Sequence, residues 1–382
     1  MKWTNKGHQF DKEGEKLKNI RTIYIYGAGK NGQSVLEAVS FLNIEIYFVD
    51  QDEAKQGKLI NDCLVVSPEI FEQRQRNSSI VVFAVSRYQY VCLMKELLGE
   101  GMEENVDFFF YDVFLEFYLG IISVYKFQKV YIEQLTQMVT TYCSLNCKNC
   151  MMSIPYLKEK AHIDLEKLKQ DADLLFKKVD FIKYYGPGGG EIFLYPQLEE
   201  FLKYIIERYS KQIGTILLVT NATVLPNESL VKFIAKNNLE ISISSYEAVC
   251  GWKEKRDRFV EVCKKNGIRY YEQKQDSWID MGWNKKMEKQ DPRKLFRECN
   301  MPCREFADGI EYYCIHGRYA GKAGKISCAG EEGLDFTEEE TDKKVILEYN
   351  VGFSKKGYLG ICGNCNGYFG INSQKIPVAE QL

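Results

Sequence analysis

Short apolar runs alternate with amphipathic stretches in the first third of the chain. The apolar runs have the length of buried strands, and the 33–42 stretch between the first two has the spacing of a helix. This alternation predicts βαβ units and a parallel sheet over residues 21–130, preceded by a polar lead segment at 1–20. The expected strands are 22–26, 45–49 and 79–85.

A second alternating series begins near Gln137 and continues to about residue 280. Its short connections favour parallel βαβ units in a barrel-like or open sheet, with the chemistry at the carboxyl ends of the strands. The expected strands are 137–142, 181–185, 215–220, 239–244 and 268–271. The expected helices are 164–178, 196–210, 227–237 and 253–265.

Composition narrows the class of protein. The 382 residues are 45% hydrophobic and 27% charged, as in soluble globular proteins of two or three domains. A formal net charge of −2 argues against a nucleic-acid partner held through its phosphates. Asp112 and Glu116 interrupt the aromatic 108–127 stretch, so we expect no transmembrane segment. Thirteen cysteines without a visible secretion signal point to metal or catalytic use, and we expect a cytoplasmic location.

A cysteine triplet follows the first strand of the second series. Cys143, Cys147 and Cys150 have the spacing C-x3-C-x2-C. Three thiolates this close can hold three irons of a [4Fe–4S] cluster and leave the fourth iron open to a small molecule. A zinc site and loose buried thiols are the alternatives, but zinc sites prefer paired C-x2-C units.

The triplet resembles the signature of the radical S-adenosylmethionine (SAM) enzymes. The resemblance implies a partial (β/α)6 barrel over residues 131–280 and a [4Fe–4S] cluster whose open iron binds SAM. It further implies that a reductase such as flavodoxin or ferredoxin supplies an electron. SAM is then cleaved reductively to a 5′-deoxyadenosyl radical, which abstracts hydrogen from the substrate.

Gly189, Gly190 and Glu191 resemble the G-G-E element of the same family. In that element the glycines let the backbone approach the SAM amino group, because a side chain would collide with the ligand. The resemblance implies that Glu191 accepts a hydrogen bond from the SAM ammonium group. A glycine-rich turn without a ligand is the alternative.

Two later strand ends complete the resemblance. Asn221 lies in Thr-Asn-Ala where the family usually has Thr-Asn-Gly, and it is expected to face the SAM pocket. Because Ala222 replaces the glycine, we expect no positive φ at that position. Ser244 is a candidate contact near the ribose and the methionine carboxylate.

Gly27, Gly29 and Gly32 form a G-x-G-x-x-G pattern between the first strand and the first helix, with Asp50 about twenty residues later. This pattern in a βαβ context is typical of Rossmann-like nucleotide-binding domains, and it resembles small domains at the front of bacterial sugar-modifying proteins. The glycines would admit a pyrophosphate at the helix N-terminus, and Asp50 would bind a ribose. A domain that keeps the fold without a ligand is the alternative.

Residues 281–382 are expected to be loop-like and rich in cysteine. A glycine followed by a cysteine, and later by C-x2-C, resembles the twitch form of the SPASM-type extension. That extension holds a second, auxiliary [4Fe–4S] cluster, and a zinc ribbon is the alternative. The expected ligands are Cys314, Cys362, Cys365 and either Cys299 or Cys303.

Residues left over near the expected barrel mouth are candidates for contact with the substrate. A spare thiol in the cavity, such as Cys250 or Cys328, could return a hydrogen atom to a substrate radical, and Asp280 could bind a hydroxyl or an amine. Buried thiols and a turn cap are the alternatives.

The leading interpretation is a radical SAM oxidoreductase or epimerase that acts on a carbohydrate or a nucleotide-linked sugar. Modification of a ribosomal peptide is the main alternative, and a non-catalytic iron–sulfur sensor or scaffold is an alternative of another class. The sugar is favoured only because of the Rossmann-like domain, which is an argument from analogy.

Overall fold

The structure is a computed structural model that describes residues 1–283, 290–299, 303–326, 332–368 and 370–382. The chain divides into two compact units. We call Asn5–Glu133 together with Val179–Lys183 the N-terminal unit. The C-terminal unit consists of Met1–Thr4, Gln134–Lys178 and Tyr184–Leu382.

A six-stranded sheet forms the centre of the N-terminal unit. Its strands are β1 (Thr22–Tyr26), β2 (Glu45–Val49), β3 (Leu59–Ile60), β4 (Cys63–Val66), β5 (Ser79–Phe83) and β6 (Phe108–Phe110). They lie in the order β3-β4-β2-β1-β5-β6, and all pairs except the antiparallel β3–β4 pair are parallel. This order reverses beside β1, as in doubly wound α/β sheets.

Six helices accompany the strands of this sheet within the N-terminal unit. They are α1 (Asp11–Leu17), α2 (Lys30–Val39), α3 (Pro68–Glu72), α4 (Arg87–Gly99), α5 (Tyr111–Val113) and α6 (Leu119–Phe127). A π-helical turn at Phe114–Tyr118 joins α5 to α6. Every position of β5 is buried, which explains its continuous apolar run, because both faces of a parallel sheet are covered. The predicted parallel sheet is therefore confirmed.

An eight-stranded sheet lies mainly in the C-terminal unit. Its strands are β7 (Tyr131–Thr140), β8 (Phe181–Gly189), β9 (Ile213–Thr220), β10 (Glu240–Ser244), β11 (Arg269–Gln273), β13 (Glu305–Ala307), β14 (Ile310–Tyr312) and β15 (Leu334–Asp335). The order is β11-β10-β9-β8-β7-β13-β14-β15. A separate pair joins β12 (Trp278–Ile279) to β16 (Lys375–Ile376).

The first four helices of this unit follow the predicted alternation: α7 (Leu165–Lys178), α8 (Leu198–Tyr209), α9 (Glu228–Lys236) and α10 (Trp252–Lys265). The later helices α11 (Pro292–Glu298), α12 (Ile315–Lys322) and α13 (Lys343–Asn350) were not predicted. Within the described ranges the sheet has five strands in chain order, β7 to β11, where the resemblance implied six. The next strand, β12, pairs antiparallel with β16 instead.

The expectation that residues 281–382 are loop-like is wrong. The described part of this segment contains the helices α11, α12 and α13, and its strand β13 pairs with β7 of the sheet. The helices are short and begin at local caps: the side chain of Asp342, for example, accepts a hydrogen bond from the Val345 amide in α13. Such short helices lack the long apolar periodicity that would have predicted them.

The membrane expectation concerns the aromatic 108–127 stretch. Part of it is strand β6, and the rest is divided between α5, the π-helical turn and α6. Among the residues described, we find no helix with the length and apolar character that a bilayer crossing requires.

Candidate functional site

The cysteine triplet lies in the loop that follows β7. Cys143, Cys147 and Cys150 all line one cavity of about 650 Å³, which we call the main cavity. Asn221, after β9, and Ser244, at the end of β10, line the same cavity. An adjoining space of about 220 Å³, the inner compartment, shares several of the lining residues. The fold therefore brings segments together that are far apart in the sequence.

Burial raises the pKa values of the three thiols. It raises the pKa of Cys143 to about 12, and negative charge on Glu191, Cys150 and Cys147 adds to the rise. Burial raises the pKa of Cys147 to about 11 and also raises that of Cys150. Free thiols here stay protonated at neutral pH, so binding of a cationic iron centre would release protons.

N–H groups approach the first cysteine of the loop. The amide of Leu145 lies 3.4 Å from Cys143 Sγ, and Asn221 Nδ2 lies 3.6 Å from it. Such contacts tune iron–sulfur sites. Within the described residues, no group of three or more His, Cys, Asp or Glu side chains is arranged to hold one metal ion.

The glycines after β8 pack against this loop. A Cβ atom at Gly190 would lie 2.3 Å from the carbonyl oxygen of Tyr142 and 2.8 Å from Cβ of Cys143. At Gly189 it would lie 3.0 Å from Thr140. Both glycines line the main cavity and the inner compartment. The sequence argument needed glycine to admit a ligand, but the protein's own cysteine loop already requires it at Gly190.

Glu191 is fully buried and bonds to the protein. Its carboxylate accepts hydrogen bonds from Thr220 Oγ1 at 2.8 Å, from the Asn221 amide at 2.8 Å and from the Phe193 amide at 3.2 Å. Burial raises its pKa to about 7, although these donors oppose the rise. Its observed role is to tie the end of β8 to the end of β9. A contact with the SAM ammonium group stays a prediction.

The expectation of no positive φ at Ala222 is wrong, because φ there is +56°. The Thr220 hydroxyl accepts the Ala222 amide at 2.9 Å while it donates to Glu191. These contacts hold a conformation that costs a non-glycine residue about 1 kcal/mol. The turn directs Asn221 towards the cysteine loop, where its Nδ2 lies 3.1 Å from Ser144 Oγ.

These segments lie within a region that matches a known family. Residues 138–271 match the family model described as the Radical SAM superfamily. This region is similar to radical SAM domains. The match agrees with the resemblance seen in the sequence, and the superfamily it points to binds a [4Fe–4S] cluster and SAM.

Individual similar proteins cover only parts of the chain. The "Antilisterial bacteriocin subtilosin biosynthesis protein AlbA" of Bacillus subtilis (strain 168) is 28% identical over 132 residues, which are 33% of this chain and 28% of AlbA. The structure of anSMEcpe with bound AdoMet is 20% identical with a TM-score of 0.30, covering 37% of this chain and 43% of that one. BtrN in complex with AdoMet and 2-DOIA is 15% identical with a TM-score of 0.41, covering 63% of this chain and 94% of that one. The match thus spans under a third of the length of AlbA.

Several residues that line the main cavity were not predicted from the sequence. Tyr246 and Trp278 line it together, with their rings 5.9 Å apart and nearly perpendicular. His316 lines it as well, and burial lowers its pKa to about 4. Tyr246 lies two residues beyond Ser244, at a strand end where polar or aromatic residues could have been suspected. His316 gives no such signal, because it comes from helix α12 of the segment predicted to be loop.

The C-terminal cysteines separate into two environments. Burial raises the pKa of Cys314, and negative charge on Cys365, Cys362 and Cys299 adds to the rise. Burial likewise raises the pKa of Cys362 to about 12, with Cys365 and Cys299 contributing. The structure therefore brings Cys299 into the group that was predicted to ligate an auxiliary cluster.

Cys303 lies elsewhere, so its place among the predicted metal ligands is a correction. It packs against Met138, Ile315 and Tyr319, and it lines both the main cavity and the inner compartment. Burial raises its pKa to about 11. The two thiols, four positions apart in sequence, therefore have different surroundings.

The structure places two of the three predicted catalytic residues. Cys250 is exposed and is not among the described residues that line the two cavities, so it is a poor candidate. A carboxylate oxygen of Asp280 accepts the Gly282 amide at 2.8 Å, which is the contact of a turn cap. Asp280 also lines a small pocket that shares Cys150 and Met151 with the main cavity. Cys328 lies outside the described residues.

The glycine turn of the N-terminal unit is built as its pattern suggests. Gly27 has a φ of +105°, and a Cβ atom at Gly32 would lie 1.9 Å from the Gly27 carbonyl oxygen, so helix packing requires glycine there. Gly29 caps α2 and has open space around its Cα.

Asp50, however, bonds to the protein. Its carboxylate accepts the Ala28 amide at 2.9 Å and Lys55 Nζ at 3.0 Å. Burial acts to raise the pKa of Asp50, but the amides of Asp52 and Ala28 and the Lys55 ammonium group outweigh it and lower the pKa. The predicted contact with a ribose would have to compete with these bonds, and nucleotide binding stays a prediction.

Proposed function

We propose that Cys143, Cys147 and Cys150 ligate a [4Fe–4S] cluster and that the main cavity binds SAM and a substrate. When bound, cluster and cofactor supply reductive cleavage of SAM to a 5′-deoxyadenosyl radical, which abstracts hydrogen from the substrate. The observation that carries the proposal is that all three cysteines line the same cavity as the glycines after β8 and the ends of β9 and β10.

The chain's own residues divide the work of binding. Gly189 and Gly190 leave room along one wall, while Asn221 and Ser244 offer polar groups on the others. Glu191 is a positioning residue. Its carboxylate accepts a hydrogen bond from the Asn221 amide and so holds the turn that carries Asn221. Tyr246 and Trp278 cover apolar surface and exclude water from the cavity.

Anaerobic reconstitution tests the function. Protein with SAM and dithionite should release 5′-deoxyadenosine, and Cys143→Ala should abolish the release. Cys92→Ala, which changes an exposed cysteine far from the cavity in sequence, should retain it. Full cluster loading without deoxyadenosine, with and without candidate substrates, would favour the sensor or scaffold instead.

We further propose that Cys299, Cys314, Cys362 and Cys365 ligate an auxiliary [4Fe–4S] cluster. The mutual influence of these thiols on their pKa values supports the assignment. Four protein ligands leave no open iron, so this centre would relay electrons in a net oxidation. An electron donor of the flavodoxin or ferredoxin class would reduce the first cluster in a cytoplasmic setting.

Two substrate classes follow from different observations. A peptide is favoured by the name of the AlbA relative, a bacteriocin biosynthesis protein. A carbohydrate or nucleotide-linked sugar is favoured by the strand order and glycine turn of the N-terminal unit, and the bonds of Asp50 weaken that argument. Cys303 in the cavity offers a protonated thiol, which would suit epimerisation of either class.

A deuterium experiment separates the substrate classes. Perdeuterated probes, a cysteine-containing peptide in one sample and a UDP-hexose in the other, are incubated with the reduced enzyme and SAM. Deuterium in 5′-deoxyadenosine identifies the class from which hydrogen is abstracted. Deuterium from neither probe would exclude both of these compounds as substrates.

A further inference from the structure

Residues 378–382 run along the cysteine loop. The Lys148 amide donates to the Glu380 carbonyl at 2.7 Å, and the Leu382 amide donates to the Asn146 carbonyl at 2.9 Å. Cys147 and Gln381 form an antiparallel bridge between these contacts. Val378 and Ala379 are buried against Cys147, so the segment covers one side of the loop. We call residues 378–382 the strap.

The side chain of Gln381 reaches the sulfur of Cys147. Its Nε2 lies 3.3 Å from Cys147 Sγ and 2.6 Å from the Ala379 carbonyl oxygen, which accepts the second amide proton. Its Oε1 accepts the Asn146 amide at 2.8 Å. The amide orientation is therefore determined: only the oxygen can face the Asn146 N–H, so an N–H must face the sulfur.

We propose that Gln381 is a positioning residue that donates a hydrogen bond to the cluster ligand Cys147 and thereby raises the reduction potential of the SAM-binding cluster. An N–H donor stabilises charge on sulfur, and the reduced cluster carries more negative charge than the oxidised one. Gln381 thus makes the first electron easier to accept. The inference rests on the proposed cluster at Cys143, Cys147 and Cys150.

The strap also carries an anchor that does not reach the sulfur. Lys148 Nζ and Glu380 Oε1 form an ion pair at 3.1 Å, with both side chains about half exposed. Exposed pairs of this kind contribute little to stability. Glu380→Gln therefore removes the ion pair of the strap but leaves the contact with the cluster ligand in place. It is the matched control.

Two substitutions separate the sulfur contact from the anchoring of the strap. Gln381→Glu keeps an oxygen that can accept the Asn146 amide. Its second carboxylate oxygen would lie against the sulfur, and an ionised carboxylate cannot donate a hydrogen bond. Gln381→Leu removes all three side-chain hydrogen bonds at similar size. All variants are made in the full chain and reconstituted anaerobically.

The experiment is a redox titration followed by EPR, with the cluster identified as the one whose signal changes when SAM is added. Both Gln381 variants should shift its midpoint potential to more negative values, while Glu380→Gln should match the wild type. A chelator should remove iron from Gln381→Leu about tenfold faster, the size expected when an outer-shell partner of a metal ligand is lost.

Coinciding potentials in all four proteins would overturn the inference and leave the proposed cluster intact. An equal shift in Glu380→Gln would also overturn it, because docking of the strap would then be the cause. Absence of a SAM-responsive signal in the wild type would overturn the proposed function itself. If neither Gln381 variant takes up iron while its apoprotein unfolds at the wild-type temperature, the positioning role is supported.

Discussion

Cys299 and Cys303 are close in sequence and have different surroundings in the folded chain. Cys299 follows α11 and influences Cys314 and Cys362, whereas Cys303 lines the main cavity. The spacing of the cysteines left both open as ligands. Only their different tertiary surroundings separate them.

Iron content should distinguish the two thiols. We expect Cys299→Ala to reconstitute with about four irons per chain and Cys303→Ala with about eight, since each [4Fe–4S] cluster contributes four. The measurement is a colorimetric iron assay on anaerobically reconstituted protein. The opposite pattern, with iron lost only in Cys303→Ala, would reverse the assignment.

Glu191 should make stability depend on pH. Its folded pKa of about 7 exceeds the ordinary 4.5, so the native state binds more protons than the unfolded state between these values. The free energy of unfolding should therefore fall as the pH rises from about 4.5 to about 7, by at most about 3 kcal/mol.

Glu191→Gln should remove this part of the pH dependence. Urea unfolding of the apoprotein at several pH values gives the difference between wild type and variant. Glu207→Gln, which changes an exposed carboxylate, should keep the wild-type profile. Parallel profiles for wild type and Glu191→Gln would show that Glu191 is ionised throughout this range.

At the scale of elements, the end of β8 and the cysteine loop are fitted to each other. The Gly190 amide donates to the Thr140 carbonyl at 3.2 Å, and the Glu191 amide donates to the Tyr142 carbonyl at 2.9 Å. A side chain between these strands would separate them. The glycine motif is therefore part of the scaffold that holds the first cysteine.

Gly190→Ala should impair cluster binding without unfolding the protein. The added Cβ would collide with the Tyr142 backbone, so the loop has to move. We expect iron content to fall from about eight to about four per chain, with the auxiliary cluster retained. Gly99→Ala, at a glycine with open space, is the control and should load fully.

At the scale of the whole molecule, residues that are neighbours in the sequence can belong to different compact units. Met1–Thr4 belong to the C-terminal unit, although α1 and β1 that follow belong to the N-terminal unit. Trp3 Nε1 donates to Glu348 Oε2 at 2.8 Å, and Glu348 is buried in α13. The first residues thus contribute to the stability of the unit that holds the cysteines.

Trp3→Phe should destabilise the C-terminal unit. The ring remains apolar, but the buried carboxylate loses an N–H donor, which costs about 1–3 kcal/mol. Hydrogen exchange at the amides of α13 should accelerate accordingly, while amides of β1 should keep their rates. Lys2→Ala changes an exposed neighbour and should leave both sets unchanged. If the α13 amides exchange as slowly in Trp3→Phe as in the wild type, the result would contradict the hydrogen bond between Trp3 and Glu348.

The sequence by itself determined the alternation of strands and helices and the triplet at Cys143, Cys147 and Cys150, because apolar periodicity and ligand spacing are local properties. The resemblance to radical SAM enzymes rests on this triplet and on the glycines before Glu191. The short helices after residue 281 were missed, because caps and burial rather than periodicity determine them.

Tertiary structure decided which distant groups meet. It separated Cys303 from Cys299, turned Glu191 and Asp50 towards the protein, and brought His316 to the cavity. It also laid Gln381 against Cys147, across more than two hundred residues of sequence. Contacts of this kind depend on how strands and loops pack in three dimensions, and no local pattern of residues encodes them.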